Sequence, residues 1–391
     1  MEHCFYGVLL LLTLACPAWC QKRYLVHDQS QFDQAVAKAA PGDSVVIANG
    51  TYTPWSVRIN NGGDQKRPVV ITAQTKGQVV FTGKVAQPLF NVKASHVTIS
   101  GLTFRECELD KANGRSGMLI QMDSVRQSRV TDCSFERNMA KMQFMPLVLI
   151  GGNSEAARID HCTFEANIDN QDVQVKVTKE VSPQHTLIDH NTFLNKKRVH
   201  WANDNGGECV QVGQDPILLG NMVSNTMVTH NRFIACSAEP EVISNKSSKN
   251  TYQANYFEDC NAELVMRGGH DCVIDSNRFK GGMGIRINGS GHTITRNQFN
   301  NVATAIRLNY GMAKGRTETG FYVAATDCRI TDNTINNAET GILIGGQKNE
   351  DWTGKFDTKR YPSRTMQDVP PGNNKVKNNH FTNTKDQIVE Q

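Results

Sequence analysis

One pattern recurs down most of this chain: an apolar residue, two variable positions, Asn, another variable position, then Phe. It reads ISGLTF ending at Phe104, VTDCSF at Phe135, IDHCTF at Phe164, IDHNTF at Phe193 and VTHNRF at Phe233. It continues as YQANYF at Phe257, IDSNRF at Phe279, ITRNQF at Phe299, ITDNTI at Ile335 and VKNNHF at Phe381. The fourth position is Leu102, Cys133 and Cys162 in the first three copies and Asn in all the later ones. The tightest spacings are 24, 22 and 20 residues, and others stretch to 29, 36, 40 and 46. Short β-like runs at a period of about 22 residues, with turns and no helix between them, are the signature of a solenoid. An inward Asn at each turn can bond the coils above and below it, and Phe two positions on stacks in the same way. The expected fold is all-β, a single-domain right-handed parallel β-helix over residues 21–391, with roughly 12 coils. The longer spacings are coils carrying inserted loops, where function concentrates on a rigid scaffold.

The exposed end of such an array needs a cover. Residues 30–40 supply one helix signal, with Ser30 as N-cap, Phe32, Ala35, Val36 and Ala39 on one face, and Pro41-Gly42 as the stop. Residues 1–20 are apolar but too short to span a bilayer, and Ala18-Trp19-Cys20 is a small-x-small site. They read as a cleaved signal peptide, so the protein is expected to be secreted or periplasmic, with no membrane span. Eight Cys lie beyond that segment, several at repeat positions where Asn sits elsewhere. They are expected as small buried fillers, with no spacing that suggests zinc. The net charge of +4, with no Lys/Arg run, argues against nucleic acid while leaving room for a locally basic groove.

The repeat also sets the phase of the charged residues. Counting from each Asn, Glu241, Arg267, Arg286 and Arg307 fall 10, 12, 9 and 10 positions on. Alternation in GIRIN and AIRLN points Arg286 and Arg307 outward. One external column of charges on successive coils is therefore expected. Glu239 and Glu241 flank Pro240 on one face, and Asn205 lies in NDNGGECVQVG on the preceding coil. Two carboxylates near an amide oxygen suit a hard cation such as Ca²⁺. The same pair also suits the acid and base of a glycosidase.

The chain resembles polysaccharide lyase family 6, the alginate lyases and chondroitinase B-like enzymes. The resemblance rests on NGGE-x-x-x-x-G at 205–213, E-x-E-x-I-x-x-K at 239–246, and R-x-G at 267–269, 21 residues after that Lys. It extends through the cap helix, the PGDSVVIANGTY segment and the Asn repeat. It implies a β-helix, a calcium site and β-elimination at a uronate. Asn205, Glu239 and Glu241 would hold Ca²⁺, Lys246 would be the base and Arg267 the acid. Arg286, Arg307, Glu208, His200, His270 and Tyr310 are expected to meet the substrate. Two positions depart from the family pattern: Gly268 stands where many relatives have His, and Gln211 where many have Arg. The implied partner is an acidic polysaccharide, alginate, with dermatan sulfate as the alternative substrate. A non-catalytic carbohydrate-binding β-helix is the alternative from another class.

Overall fold

A computed structural model describes residues 21–112, 114–215 and 220–391. The signal-peptide expectation lies outside the described residues. Three long sheets wind along one axis. The first has 13 strands, from Arg23–Val26 to Lys375–Lys377; the second has 13, from Gly50–Tyr52 to His380–Thr382; the third has 12, from Val57–Ile59 to Asp386–Glu390. Every neighbouring pair within them is parallel, and successive strands of one sheet belong to successive coils. This is a parallel β-helix.

The corners explain the repeat. The residue just before each repeat Asn takes left-handed backbone, with φ of 54° at His190, 57° at His230, 53° at Ala254 and 56° at Ser276. That bend turns the next side chain inward. Asn231 Oδ1 accepts from the main-chain N–H of Asn191 at 3.0 Å, and Asn255, Asn277, Asn297, Asn333 and Asn379 continue the series at 2.9–3.1 Å. Each Asn Nδ2 also reaches a carbonyl one coil back, as Asn255 does to Val228 at 2.8 Å. The inward Phe rings from Phe104 to Phe299 stack with centroids 4.5–5.0 Å apart, which is the coil spacing itself. All eight Cys of the described chain are buried and unpaired, and Cys133 and Cys162 occupy the corner position that Asn holds further on.

Replacing Asn255 with Ala would strip buried main-chain groups of Asn231 and Val228 of their partners. Each such orphan costs about 1–3 kcal/mol, so the variant is expected to lose about 3 kcal/mol in urea denaturation. A loss under about 1 kcal/mol would show that the ladder follows the bend rather than holding it.

The cap helix forms at Gln29–Lys38, starting one residue and ending two residues ahead of the expected 30–40. Its N-cap is Asp28 rather than Ser30: the Asp28 carboxylate accepts from Gln31 N at 2.8 Å. Asp and Ser are comparable caps, and the amphipathic phase decides between them. With Asp28 as cap, Phe32 faces down onto Trp55 and Phe90, at 5.5 and 5.9 Å, closing the apolar interior.

Candidate functional site

The outer face of the third sheet carries a column in continuous register. It runs Arg58, Asn91, Gln121, Leu149, Gln174, Gln211, Ser244, Val265, Arg286, Arg307 and Leu343. Arg286 and Arg307 are neighbours in it, as expected. Arg267 and Glu241 are not: Glu241 stands opposite Glu263, and Arg267 lies two residues beyond Val265. The four charges occupy one sheet and are brought together by long side chains rather than by register.

Strand Glu241–Lys246 is irregular at both ends, with register shifts after Glu241 and after Asn245. Such bulges re-aim side chains. Here the second shift sets Lys246 opposite Gly268, one of the two positions that depart from the expected pattern. The lysine ends the strand and is buried, with Nζ 3.6 Å from Glu208 Oε1. Glu208 is not a surface contact either. Its two oxygens accept from Gln211 Nε2 at 2.6 Å and Gln171 Nε2 at 3.1 Å, and Gln174 bonds Gln211 at 2.6 Å. Gln211 therefore belongs to a buried amide floor that fixes the carboxylate beside Lys246. Gln171 and Gln174 were missed because nothing in their local sequence marks them.

Glu239 is 7 % and Glu241 6 % exposed. Glu239 Oε2 accepts from Gly206 N at 3.0 Å, where φ of 92° at Gly206 turns the NGG loop inward. Asn205 is thereby placed next to this carboxylate, its own carbonyl bonded by Gln143 Nε2 at 2.7 Å. Burial and the adjacent Glu208 and Glu241 push the Glu239 carboxyl well above the usual range. Glu241 goes the other way. Burial opposes its ionisation, but Arg267, Arg286 and Lys246 outweigh that and hold it down at about 2. Arg286 Nη2 lies 2.5 Å and Arg267 Nη1 3.9 Å from Glu241 Oε1.

Glu239 Oε1 and Glu241 Oε2 are buried and have no hydrogen-bond partner. Among the described residues no three acidic, His or Cys side chains converge as a ready-made metal cage. A hard cation here would rest on two carboxylates completed by amide, main-chain or water oxygens. Two orphaned oxygens on neighbouring acids fit that role.

Arg267 is held by a feature the repeat could not reveal. Its guanidinium lies 5.1 Å from the Phe321 ring and 5.4 Å from the Tyr322 ring. Phe321 in turn stacks on Phe356 at 4.4 Å. Burial works against the Arg267 charge, but Tyr322 and the carboxylates of Glu241, Glu239 and Glu208 raise its pKa overall, so it is a fixed cation. The only sequence signals for this aromatic wall are the long spacings that contain it, 36 residues for Phe321 and Tyr322 and 46 for Phe356.

The expected substrate contacts divide. Arg307 is part-exposed and lines a cleft of about 920 Å³ with Glu239, Pro240, Glu263, Lys197 and Arg198. Its Nη2 is also paired to Glu263 Oε2 at 2.6 Å. Arg286 is buried between Glu241 and Glu263, so it sets carboxylates rather than meeting solvent. Glu263, four residues before Arg267 and level with Glu241, escaped notice as an ordinary strand acid. His200 is exposed and oriented by Asp169 at 2.9 Å. His270 is built into a corner. Its Nδ1 lies 2.8 Å from Ser290 Oγ, and burial, followed by Arg316, lowers its pKa to about 4. The Tyr310 hydroxyl donates to the Gln391 carbonyl at 3.2 Å instead of facing the cleft.

Comparison with known proteins agrees with this architecture. The alginate lyase AlyGC, of polysaccharide lyase family 6, superposes with a TM-score of 0.71 at 25% identity over 90% of this chain and 47% of that one. The chain thus spans about half the length of AlyGC. A mannuronic acid specific family 6 lyase from human gut microbiota gives a TM-score of 0.68 at 22% identity, covering 94% of this chain and 82% of its own. The family 6 lyase Pedsa3628 from Pseudopedobacter saltans gives 0.68 at 19%, covering 92% and 84%. These last two show the shared fold. No curated protein matches the chain. The family model described as Chondroitinase B matches residues 26–390, nearly the whole described β-helix with its cap and its charged strands, and the chain belongs to the chondroitinase B family.

Proposed function

We propose that this protein is a calcium-dependent lyase that cleaves alginate by β-elimination, leaving a 4,5-unsaturated sugar. The observation that carries the reading is the placement of Lys246. An amine sits at a strand end 3.6 Å from an acid fixed by amides, and its charge acts on Glu239 and Glu241, each with one oxygen that lacks a partner, while the Arg267 guanidinium lies 3.9 Å from Glu241. The C5 proton of a uronate is barely acidic beside its own ionised carboxylate. Asn205, Glu239 and Glu241 would hold the calcium ion. When bound it supplies positive charge to the substrate carboxyl. Lys246 Nζ takes the C5 proton, the C5–H electron pair forms the C4=C5 bond, and the C4–O4 bond breaks. Arg267 stays charged, so it steadies the departing O4, which takes its proton from water. Its role is thus stabilising rather than donating.

The protein acts outside the cytoplasm in this reading, through the leader at residues 1–20. No helix among the described residues is long and apolar enough to cross a membrane.

The test uses alginate, polymannuronate, polyguluronate and dermatan sulfate, with calcium or with chelator, followed by ultraviolet absorbance of the new double bond. Absorbance should rise on alginate, fall to background with chelator and return with added calcium. Reaction on dermatan sulfate alone would move the assignment to that polymer. Binding without absorbance on any polymer would replace the enzyme by a carbohydrate-binding β-helix.

A further inference from the structure

The outward column of the third sheet begins far from Lys246. Six steps of register separate Arg58 from Ser244, on the strand that carries the lysine. At about 4.8 Å per coil that is roughly 30 Å. Around this remote end lies a second cleft, of about 580 Å³, whose lining includes Arg58, Asn91, Lys93, Arg115 and Lys176. Four cations meet there, and no Asp or Glu lines the cleft. Asp123, beside the cleft, is already paired with Lys93. Arg58 and Arg115 have no carboxylate within ion-pair distance among the described residues, Lys176 acts on Asp123 only from beyond that distance, and all three are exposed. Arg58 and Arg115 are instead braced by neutral amides, Asn60 at 3.1 Å and Gln87 at 2.9 Å, which orient a guanidinium without neutralising it.

The floor of the cleft adds a different chemistry. Asn91 Oδ1 is buried and has no donor. An anion alone would not use a carbonyl acceptor, but a sugar hydroxyl would. Cations spaced along one face, with an unmet acceptor between them, match a polymer carrying both carboxylates and hydroxyls. A plain polyanion matches only half of that set. The rest of the chain does not explain the cluster. Elsewhere on the sheets several surface cations are paired across coils, as Arg129 is with Asp160 and Arg158 with Asp189, whereas Arg58, Arg115 and Lys176 are not.

We propose that Arg58, Arg115 and Lys176, with Lys93 and Asn91, form a second polyuronate-binding site. It would anchor the long substrate several sugars away from the scissile bond, on the same face of the solenoid. The site rests on the functional reading above only for the choice of polymer. Exposed charges are individually weak and are screened by salt. The site should therefore matter for polymers that reach it and not for oligosaccharides that fill only the cleft near Lys246.

The experiment compares Lys246→Ala with the same protein carrying Arg58→Ala, Arg115→Ala and Lys176→Ala. Affinity for uncleaved alginate polymer and for a uronate tetrasaccharide is measured by calorimetry at low and moderate salt. Loss of the three cations should weaken polymer binding about tenfold at low salt and leave tetrasaccharide binding unchanged. A control lacking Lys375, Lys377 and Lys385, exposed cations at the other end of the solenoid, should keep polymer affinity. In the active background the triple variant should raise KM for polymer without changing turnover of the tetrasaccharide. Equal polymer affinity in variant and parent, or equal loss on polymer and tetrasaccharide, would overturn the site. Binding of polyglutamate as tight as that of alginate would overturn its saccharide character. Because binding is read without cleavage, the two readings fail separately. A wild type that yields no unsaturated product but loses polymer affinity in the triple variant would sink the lyase and keep the anchor.

Discussion

Lys246→Ala is expected to lower turnover on alginate by about 10³-fold or more while leaving the protein folded. Both halves follow from the geometry. Among the described residues Lys246 Nζ is the one amine paired with Glu208, and a base acts only from within hydrogen-bond reach of the proton it removes. The lysine is not what fixes Glu208, which keeps its bonds from Gln171 and Gln211 when the lysine is gone. Breaking a buried pair costs about 3 kcal/mol, which in a chain of this length moves thermal unfolding by only a few degrees. Lys246→Arg should be nearly as inactive, since a guanidinium does not give up its proton to become a base. Residual activity of Lys246→Ala within tenfold of the parent would remove the lysine from the reaction. Loss of folded protein would mean that the residue is scaffold.

The scaffold was legible in the sequence because it is made of identical residues in identical places. An Asn that bonds the next Asn, and a Phe that stacks on the next Phe, leave a period that loop insertions stretch without erasing. The pair Glu239 and Glu241, with Lys246 and Arg267, was legible as spacing. Its arrangement was not. Counting from the Asn ladder assumed corners of constant length, whereas the strand of Glu241 shifts register twice and sets Arg267 two residues past the column of Arg286. The count put Arg286 in reach of substrate, but the structure turns it back two coils onto Glu241. Phe321 and Tyr322 are invisible to any period. They come from an inserted segment and meet Arg267 only through the fold. The amide floor of Gln171, Gln174 and Gln211 is hidden for another reason: an outward-facing Gln on a strand looks like solvent-exposed surface until loops bury it.

Glu239 and Glu241, two residues apart and equally buried, are expected to respond to the same substitution in opposite directions. Glu241→Gln removes the charge that sits 2.5 Å from Arg286 and 3.9 Å from Arg267. Arg286 is buried and Arg267 is part-buried, so the loss should cost about 3 kcal/mol. Glu239 has no cation of its own within ion-pair distance among the described residues. Its neighbours Glu208 and Glu241 work against its ionisation. Glu239→Gln relieves that repulsion and keeps an oxygen for the Gly206 N–H, so the protein in chelator should be more stable by about 1 kcal/mol. The gain should carry a functional loss. If calcium binds where we propose, the parent melts at a higher temperature with calcium than with chelator, and Glu239→Gln no longer shows that rise. Thermal unfolding of parent and both variants, in chelator and in calcium, reads all of this without an activity assay. Shifts of the same sign for both variants in chelator would break the charge argument. A full calcium response in Glu239→Gln would place the ion elsewhere.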